Sequence, residues 1–238
     1  MSAERFALVT GTSSGIGAAV ARELLAHGWQ VLGIARRAVR LEHGYRHLAL
    51  DLADASTAPA IERELGARLG ERRWQRIGLV NNAAAAPAGR VQNLKADELA
   101  AALALNVAMP LWLIGLVARL KPAGTMLRVV NVSSGAAHRA VPGLAAYCAS
   151  KAALRMAGMV AAAELDGESA IYSYEPGVVD TEMQRAAREM PLDEFPSGAM
   201  FRQYHAEGRL AAPELPAADI VEFLESEHAE RFVEGRRT

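Results

Sequence analysis

The feature that most constrains this chain is a regular exchange between two hydrophobic periods. Short apolar runs of β character occupy residues 7–9, 31–35, 48–50, 77–80, 127–132 and 170–174. Between them, residues 15–27, 57–69, 97–120 and 146–165 carry apolar side chains at helical spacing. Nearly all-apolar strands, each followed by a helix, belong to a parallel sheet covered on both faces. Right-handed crossovers then predict an α/β fold with a single doubly wound parallel sheet. A length of 238 residues suits one such domain over 1–238 better than two. Hydrophobic residues make up 51% of the chain but aromatic residues only 5%, so Ala, Leu and Val must fill the core.

One segment breaks the rhythm. Residues 182–216 contain no clean strand and are punctuated by Pro191, Pro196, Gly198, Gly208, Pro213 and Pro216. Met183, Met190, Met200, Phe195, Phe201 and Tyr204 are scattered through it. Such a segment reads as a substrate lid with one or two short helices, or as a surface insertion. The scattered Met and aromatic side chains either line a pocket or fold the lid onto the body. A last helix over 217–226 leads into a charged tail.

Where the first apolar run stops, the chain reads Thr10-Gly11-Thr12-Ser13-Ser14-Gly15-Ile16-Gly17 and a helix opens. Gly11 permits a tight turn, Gly15 lets backbone approach a pyrophosphate, and Gly17 lets helix pack on strand. Free N–H groups at the helix start would meet the phosphates of a dinucleotide. The second strand ends at Ala35, where an acid would hold the 2′-hydroxyl of NAD, and Arg36 and Arg37 follow. Guanidinium forks match phosphate oxygens, so this end favours NADP(H) over NAD(H). Asp51 and Leu52 follow the third strand, against the expected adenine edge. Asn81-Asn82-Ala83-Ala84 follows the fourth, where amides can cap backbone and contact ribose.

The chemistry gathers further along. Tyr147 and Lys151 lie four apart at the start of an Ala-rich helix, which places both on one face. A free tyrosine has a pKa near ~10, and a neighbouring ammonium is expected to lower it. Ser134, thirteen residues earlier and after an apolar strand, is placed to hydrogen-bond the same substrate oxygen. Taken alone, a Tyr and a Lys at this spacing are a common helix-surface pattern. Together with the paired serines and the glycine turn they describe proton transfer beside a cofactor.

These ordered motifs resemble the short-chain dehydrogenase/reductase family: TGTSSGIG at 10–17, DL at 51–52, NNAA at 81–84, Asn106, NVSS at 131–134, YCASK at 147–151 and PGVVDT at 176–181. The resemblance covers nearly the whole chain and implies a Rossmann fold. It implies a Ser134–Tyr147–Lys151 triad extended by Asn106, which would hold a water linked to Lys151. It also implies that Lys151 binds the nicotinamide ribose, and that the segment from Pro176 and Gly177 to the Val179 backbone and Thr181 hydroxyl anchors the carboxamide. The two long helices over 97–120 and 146–165 would pair two subunits into a homodimer, or four into a tetramer. A narrower resemblance, carried by YCASKAALRM and PGVVDTEMQ, is to sepiapterin reductase and benzil-type dicarbonyl reductases. It implies an NADPH-dependent carbonyl reductase acting on a small-molecule ketone or dicarbonyl. An NAD-dependent alcohol dehydrogenase and a non-catalytic NADP-binding regulator are the alternatives.

The departures are Ala84 in place of a glycine, Ser14 in place of a basic residue, and Glu175, which is expected to point to solvent. The chain also stops soon after Phe232-Val233-Glu234-Gly235, so the family's further strand is expected to be missing. His138 and Arg139 lie on a loop expected to border the substrate, where they either bind it or are solvated. Lone Cys148 reads as a packing residue. Twenty-six basic against 27 acidic residues give a net charge of −1, no argument for a nucleic-acid partner. The six histidines show no metal-ligand spacing. The apolar stretch around Asn106 and Pro110 reads as a buried helix rather than a membrane span. With a short polar start before the first strand, a cytoplasmic setting is expected.

Overall fold

The first apolar run forms β1 (Arg5–Thr10), and the glycine turn releases the chain into α1 (Gly15–Ala26). The computed structural model describes residues 4–41, 43–70 and 73–237. The alternation continues through β2 (Gln30–Ala35), β3 (Tyr45–Ala49), α2 (Ala58–Gly70) and β4 (Arg76–Asn81). Next come α3 (Ala96–Leu103), a π-helical turn (Ala104–Ala108) and α4 (Met109–Leu120), then β5 (Met126–Val132), α5 (Ala145–Glu164) and β6 (Ser169–Glu175). The irregular segment supplies α6 (Glu182–Glu189) and α7 (Gly198–Ala206), and α8 (Glu214–Glu225) and β7 (Phe232–Arg236) close the fold.

Among the described residues the strands form one seven-stranded parallel sheet in the order β3-β2-β1-β4-β5-β6-β7. The chain runs outward from β1 to β3 and then returns to β4. The crevice beyond the carboxyl ends of β1 and β4 is therefore the switch point at which such sheets bind ligands. Alternation along each strand divides the core. Phe6, Leu8, Leu32, Ile34, Leu79 and Leu127 face α2 and α4, whereas Ala7, Val9, Val31, Val80 and Val130 face α1 and α8. Ala96–Leu120 is long and apolar enough to cross a membrane, but Leu113, Ile114, Leu116 and Val117 are enclosed in the first core. Truncating a fully buried residue such as Leu113 to Ala costs about 2–5 kcal/mol.

Two expectations change. β3 begins at Tyr45, earlier than its apolar run, because Tyr45 lies across Gly33 of β2; a Cβ on Gly33 would come within 2.1 Å of its hydroxyl. The further strand is present: Phe232–Arg236 pairs in parallel with β6, from Ile171↔Phe232 to Glu175↔Arg236. It is a half-exposed edge strand, which is why its polar sequence reads as a tail. The lid is anchored rather than detached. Phe195 is fully buried against Gly143, Ser197 Oγ donates to Pro142 O at 2.7 Å, and Arg90 Nε donates to Asp193 O at 2.8 Å.

Candidate active site

The cofactor end of the cleft starts at Thr10. Its Oγ1 accepts the N–H groups of Asn82 and Ala83 at 2.9 and 3.0 Å, and Asn82 Nδ2 donates to Thr10 O at 2.9 Å. These bonds lock the end of β4 to the glycine turn, so the Asn82 side chain acts as a clamp. Gly11 and Gly15 have φ of 74° and 55°, and Gly11 N–H donates to Ile34 O at 2.7 Å. A Cβ on Gly17 would lie 2.4 Å from both Gly11 O and Asn82 Nδ2. Thr12 is buried, and its hydroxyl is 2.9 Å from that of Tyr45, a support for the turn that sequence reading missed. The signal was Gly33, a strand glycine needed beneath a neighbouring aromatic ring.

Ser14 begins α1 without a side-chain capping bond, and the helix has no acid in its first turn. The N–H groups of its first turn are thus left for an anion, and the glycines leave room for one to approach. The fit is to a dinucleotide diphosphate. Arg36 is exposed and forms no ion pair among the described residues. Arg37 Nη2 instead donates to both carboxylate oxygens of Glu182, at 3.1 and 2.9 Å. Asp51 Oδ1 accepts the Ala53 N–H at 3.0 Å, turning the chain, while Leu52 is buried.

The catalytic end is drier. Ser134 follows β5 and caps a short 3-10 turn, accepting the Ala136 N–H at 3.2 Å. Tyr147 and Lys151 sit on one face of α5, with Lys151 Nζ 5.5 Å from the Tyr147 ring centre. Lys151 is buried and donates to Val132 O at 2.6 Å. Burial pushes its pKa down to about 8. Burial also pushes the Tyr147 phenol up to about 12, against the pull of the Ser134 hydroxyl. The expected lowering of Tyr147 by Lys151 is not what this structure has, because desolvation acts on both groups and favours their neutral forms.

Asn106 lies in the π-helical turn, where one extra residue swells the helix between α3 and α4. Its Oδ1 accepts the Ala85 N–H at 2.9 Å, and its Nδ2 donates to Ala85 O at 2.7 Å and Ser150 Oγ at 3.0 Å. Ser150 Oγ in turn donates to Tyr147 O at 2.8 Å. Asn106 therefore ties the loop after β4 to the helix that carries Tyr147 and Lys151. At the third side of the cleft, Pro176 is buried, Gly177 has φ of 75° and Val179 forms a bridge with Ala211. Thr181 Oγ1 caps α6, accepting from Gln184 N at 3.3 Å, and its methyl lies over Gly15.

Residues 5–192 match the short chain dehydrogenase family model. The chain belongs to this family. The enzyme is accordingly an oxidoreductase with a Rossmann fold, of a family that uses NAD(H) or NADP(H). It is 32% identical over 236 residues to a benzil reductase ((S)-benzoin forming) of Bacillus cereus, covering 94% of this chain and 95% of that one. A benzil reductase ((S)-benzoin forming) of Bacillus subtilis is 31% identical over 224 residues, covering 92% of each chain. The crystal structure of the KRED1-Pglu enzyme superposes with a TM-score of 0.82 at 28% identity, covering 96% of this chain and all of that one. These likenesses place the chain in the benzil reductase-like subgroup of the short-chain dehydrogenases.

In this short-chain dehydrogenase Glu175 does not point to solvent. Its side chain is 13% exposed, paired with His138 Nε2 at 3.1 Å and, more distantly, with Arg236 Nε at 3.8 Å. The carboxylate lies against Gly135, beside the Ser134 turn. His138 is thus held by an acid, while Arg139 is exposed. Cys148 is a free, half-buried thiol on α5. A separate hollow of 420 Å³, lined by Glu23, His27 and Glu225 among others, lies between α1 and α8, away from Tyr147.

Proposed function

We propose that this enzyme is an NADPH-dependent carbonyl reductase acting on ketones and dicarbonyls, with Ser134, Tyr147, Lys151 and Asn106 as its catalytic set. The observation that carries the reading is geometric: Tyr147 and Lys151 share one face of α5, with Lys151 Nζ 5.5 Å from the Tyr147 ring centre, and Ser134 stands just beyond the end of β5, where Val132 O accepts from Lys151. A phenol held there keeps its proton at neutral pH and can give it to a carbonyl oxygen as negative charge develops on that oxygen during reduction. Both Bacillus relatives are named for reducing benzil, a 1,2-diketone, which supports a dicarbonyl substrate.

A reduced nicotinamide, when bound, supplies the hydride. Ser134 and Tyr147 hydrogen-bond the substrate oxygen, and Tyr147 transfers its proton to that oxygen as charge builds there. Lys151, with its pKa brought down to about 8, is poised to return a proton to Tyr147 and to hold the nicotinamide ribose. The Asn106 amide is committed to Ala85 and Ser150. Its share in that relay would pass through main-chain groups of the π-helical turn, one of which would hold the linking water. Gly11 to Gly17 would take the diphosphate, Arg36 and Arg37 a 2′-phosphate, and Pro176 to Thr181 the carboxamide. Met156, Met159 and Val160 on α5 and Leu111 on α4 are exposed apolar residues on helices packed together, which supports a homodimer through this face. Sedimentation should give a dimer that Val160→Glu dissociates. The enclosed face of Ala96–Leu120 and lone Cys148 suit a cytoplasmic enzyme.

The test is oxidation of NADPH with benzil. Tyr147→Phe should lower kcat/KM by about 10²-fold to 10⁴-fold. Equal rates for mutant and wild type would overturn the assignment.

A further inference from the structure

Two residues 145 positions apart meet across the cofactor groove. Arg37 follows β2, and Glu182 is the first residue of α6, where the lid begins. One guanidinium nitrogen of Arg37 is shared between both Glu182 oxygens, at 2.9 and 3.1 Å. Glu182 Oε2 also accepts from Ser14 Oγ at 3.4 Å, on the glycine turn. Thr181, just before it, lies so close to the same turn that a Cβ on Gly15 would sit 3.1 Å from its methyl. The lid's first turn therefore spans the two walls of the groove with a carboxylate, and that carboxylate sits on a guanidinium suited to a phosphate. Arg36, one residue earlier, has no such partner among the described residues.

We propose that Glu182 is a specificity-determining residue that competes with the 2′-phosphate of NADP(H) for Arg37, and so sets how strongly the enzyme favours the phosphorylated cofactor. The proposal rests on the reading in which Arg36 and Arg37 meet that phosphate. A phosphate approaching Arg37 must displace the carboxylate or share one cation with it, and two anions side by side repel. NADH brings no charge to this corner and leaves the Glu182–Arg37 pair in place. Arg36 stays available to either outcome. The pair is open to water, with side chains 60% and 58% exposed, so competition changes affinity several-fold rather than by orders of magnitude. The same carboxylate also tethers the start of α6, so the phosphate that displaces it would loosen that end of the lid.

The test is fluorescence titration of the purified protein with NADPH and with NADH, without substrate. Glu182→Gln keeps the side-chain shape at an exposed helix start. It should tighten NADPH about threefold to fivefold and leave NADH unchanged, and the gain should vanish in the Arg37→Ala background. Arg37→Ala alone should weaken NADPH more than NADH. Equal weakening of both cofactors overturns the phosphate reading itself, and the competition with it. If Arg37→Ala is selective but Glu182→Gln has no effect, or tightens both cofactors alike, the competition is overturned and the phosphate role of Arg37 stands.

Discussion

The two ends of the cleft handle charge in opposite ways. At the catalytic end, Lys151 is buried, has no carboxylate partner among the described residues and touches a carbonyl oxygen. At the cofactor end, Arg37 is mostly exposed and paired with Glu182. In the first place water has been removed and the protonation state responds, down to about 8 for Lys151 and up to about 12 for Tyr147. In the second, water remains and partners can be exchanged. Burial at one end favours the neutral forms of both groups and brings Lys151 toward neutral pH, whereas exposure at the other leaves a charged partner replaceable.

The largest expected effect would break the catalytic half of this contrast. Lys151→Met should lower kcat for benzil reduction by about 10²-fold to 10³-fold, a larger loss than the weakening of NADPH that follows from its lost contact with the nicotinamide ribose. A fall in affinity with kcat unchanged would make Lys151 a cofactor anchor and nothing more. Asn106→Ala tests whether this end depends on rigid placement. It strips partners from the Ala85 backbone and from Ser150, so urea unfolding should show a loss of about 2–4 kcal/mol. Stability equal to wild type would mean that water replaces the amide without cost.

The parts of this contrast that sequence reading reached were those with local signals. β1, β2, β4, β5 and β6 are buried strands, and their continuous apolar runs mark them. Ser134, Tyr147, Lys151 and the glycine turn stand at fixed spacings on elements the pattern locates. β7 escaped because an edge strand needs no apolar run, and only Phe232, Val233 and Gly235 are partly covered. The π-helical turn escaped because one added residue hardly disturbs a 3.6-residue period. The Glu182–Arg37 and Glu175–His138 pairs join distant segments, and no local pattern announces them. The direction of the Tyr147 shift was missed for a different reason. Proximity to an ammonium is visible as a spacing of four, but the removal of water from both groups depends on everything packed around them.

A smaller effect sharpens the buried half. Between pH 8 and 10.5 an unfolded chain keeps the Lys151 proton that the folded protein has shed, so unfolding free energy should rise with pH. Above pH 10 the sign reverses, because Tyr147 holds its proton in the folded state up to about 12, and Tyr45, Tyr172 and Tyr174 are also raised by burial. The clean window is pH 8 to about 9.5. There, wild type should gain about 1.5 kcal/mol relative to Lys151→Met. Parallel urea curves for the two proteins across that window would show that Lys151 stays charged inside the fold.

The smallest expected effect tests the exposed half by its near absence. Arg37→Ala removes a solvent-screened pair, and Arg36→Ala removes a guanidinium with no ion-pair partner among the described residues, so neither should shift the thermal midpoint of the protein without cofactor. Raising the salt concentration should make Arg37→Ala and wild type still more alike, since screening weakens whatever the pair contributes. The same salt should leave the deficit of Asn106→Ala intact, because that variant loses buried hydrogen bonds rather than exposed charge. A salt-independent drop in the midpoint for Arg37→Ala, comparable with that of Asn106→Ala, would make the Arg37–Glu182 pair a strut between β2 and the lid. The cofactor end would then be as rigid as the catalytic end, and selectivity there could not come from an exchangeable partner.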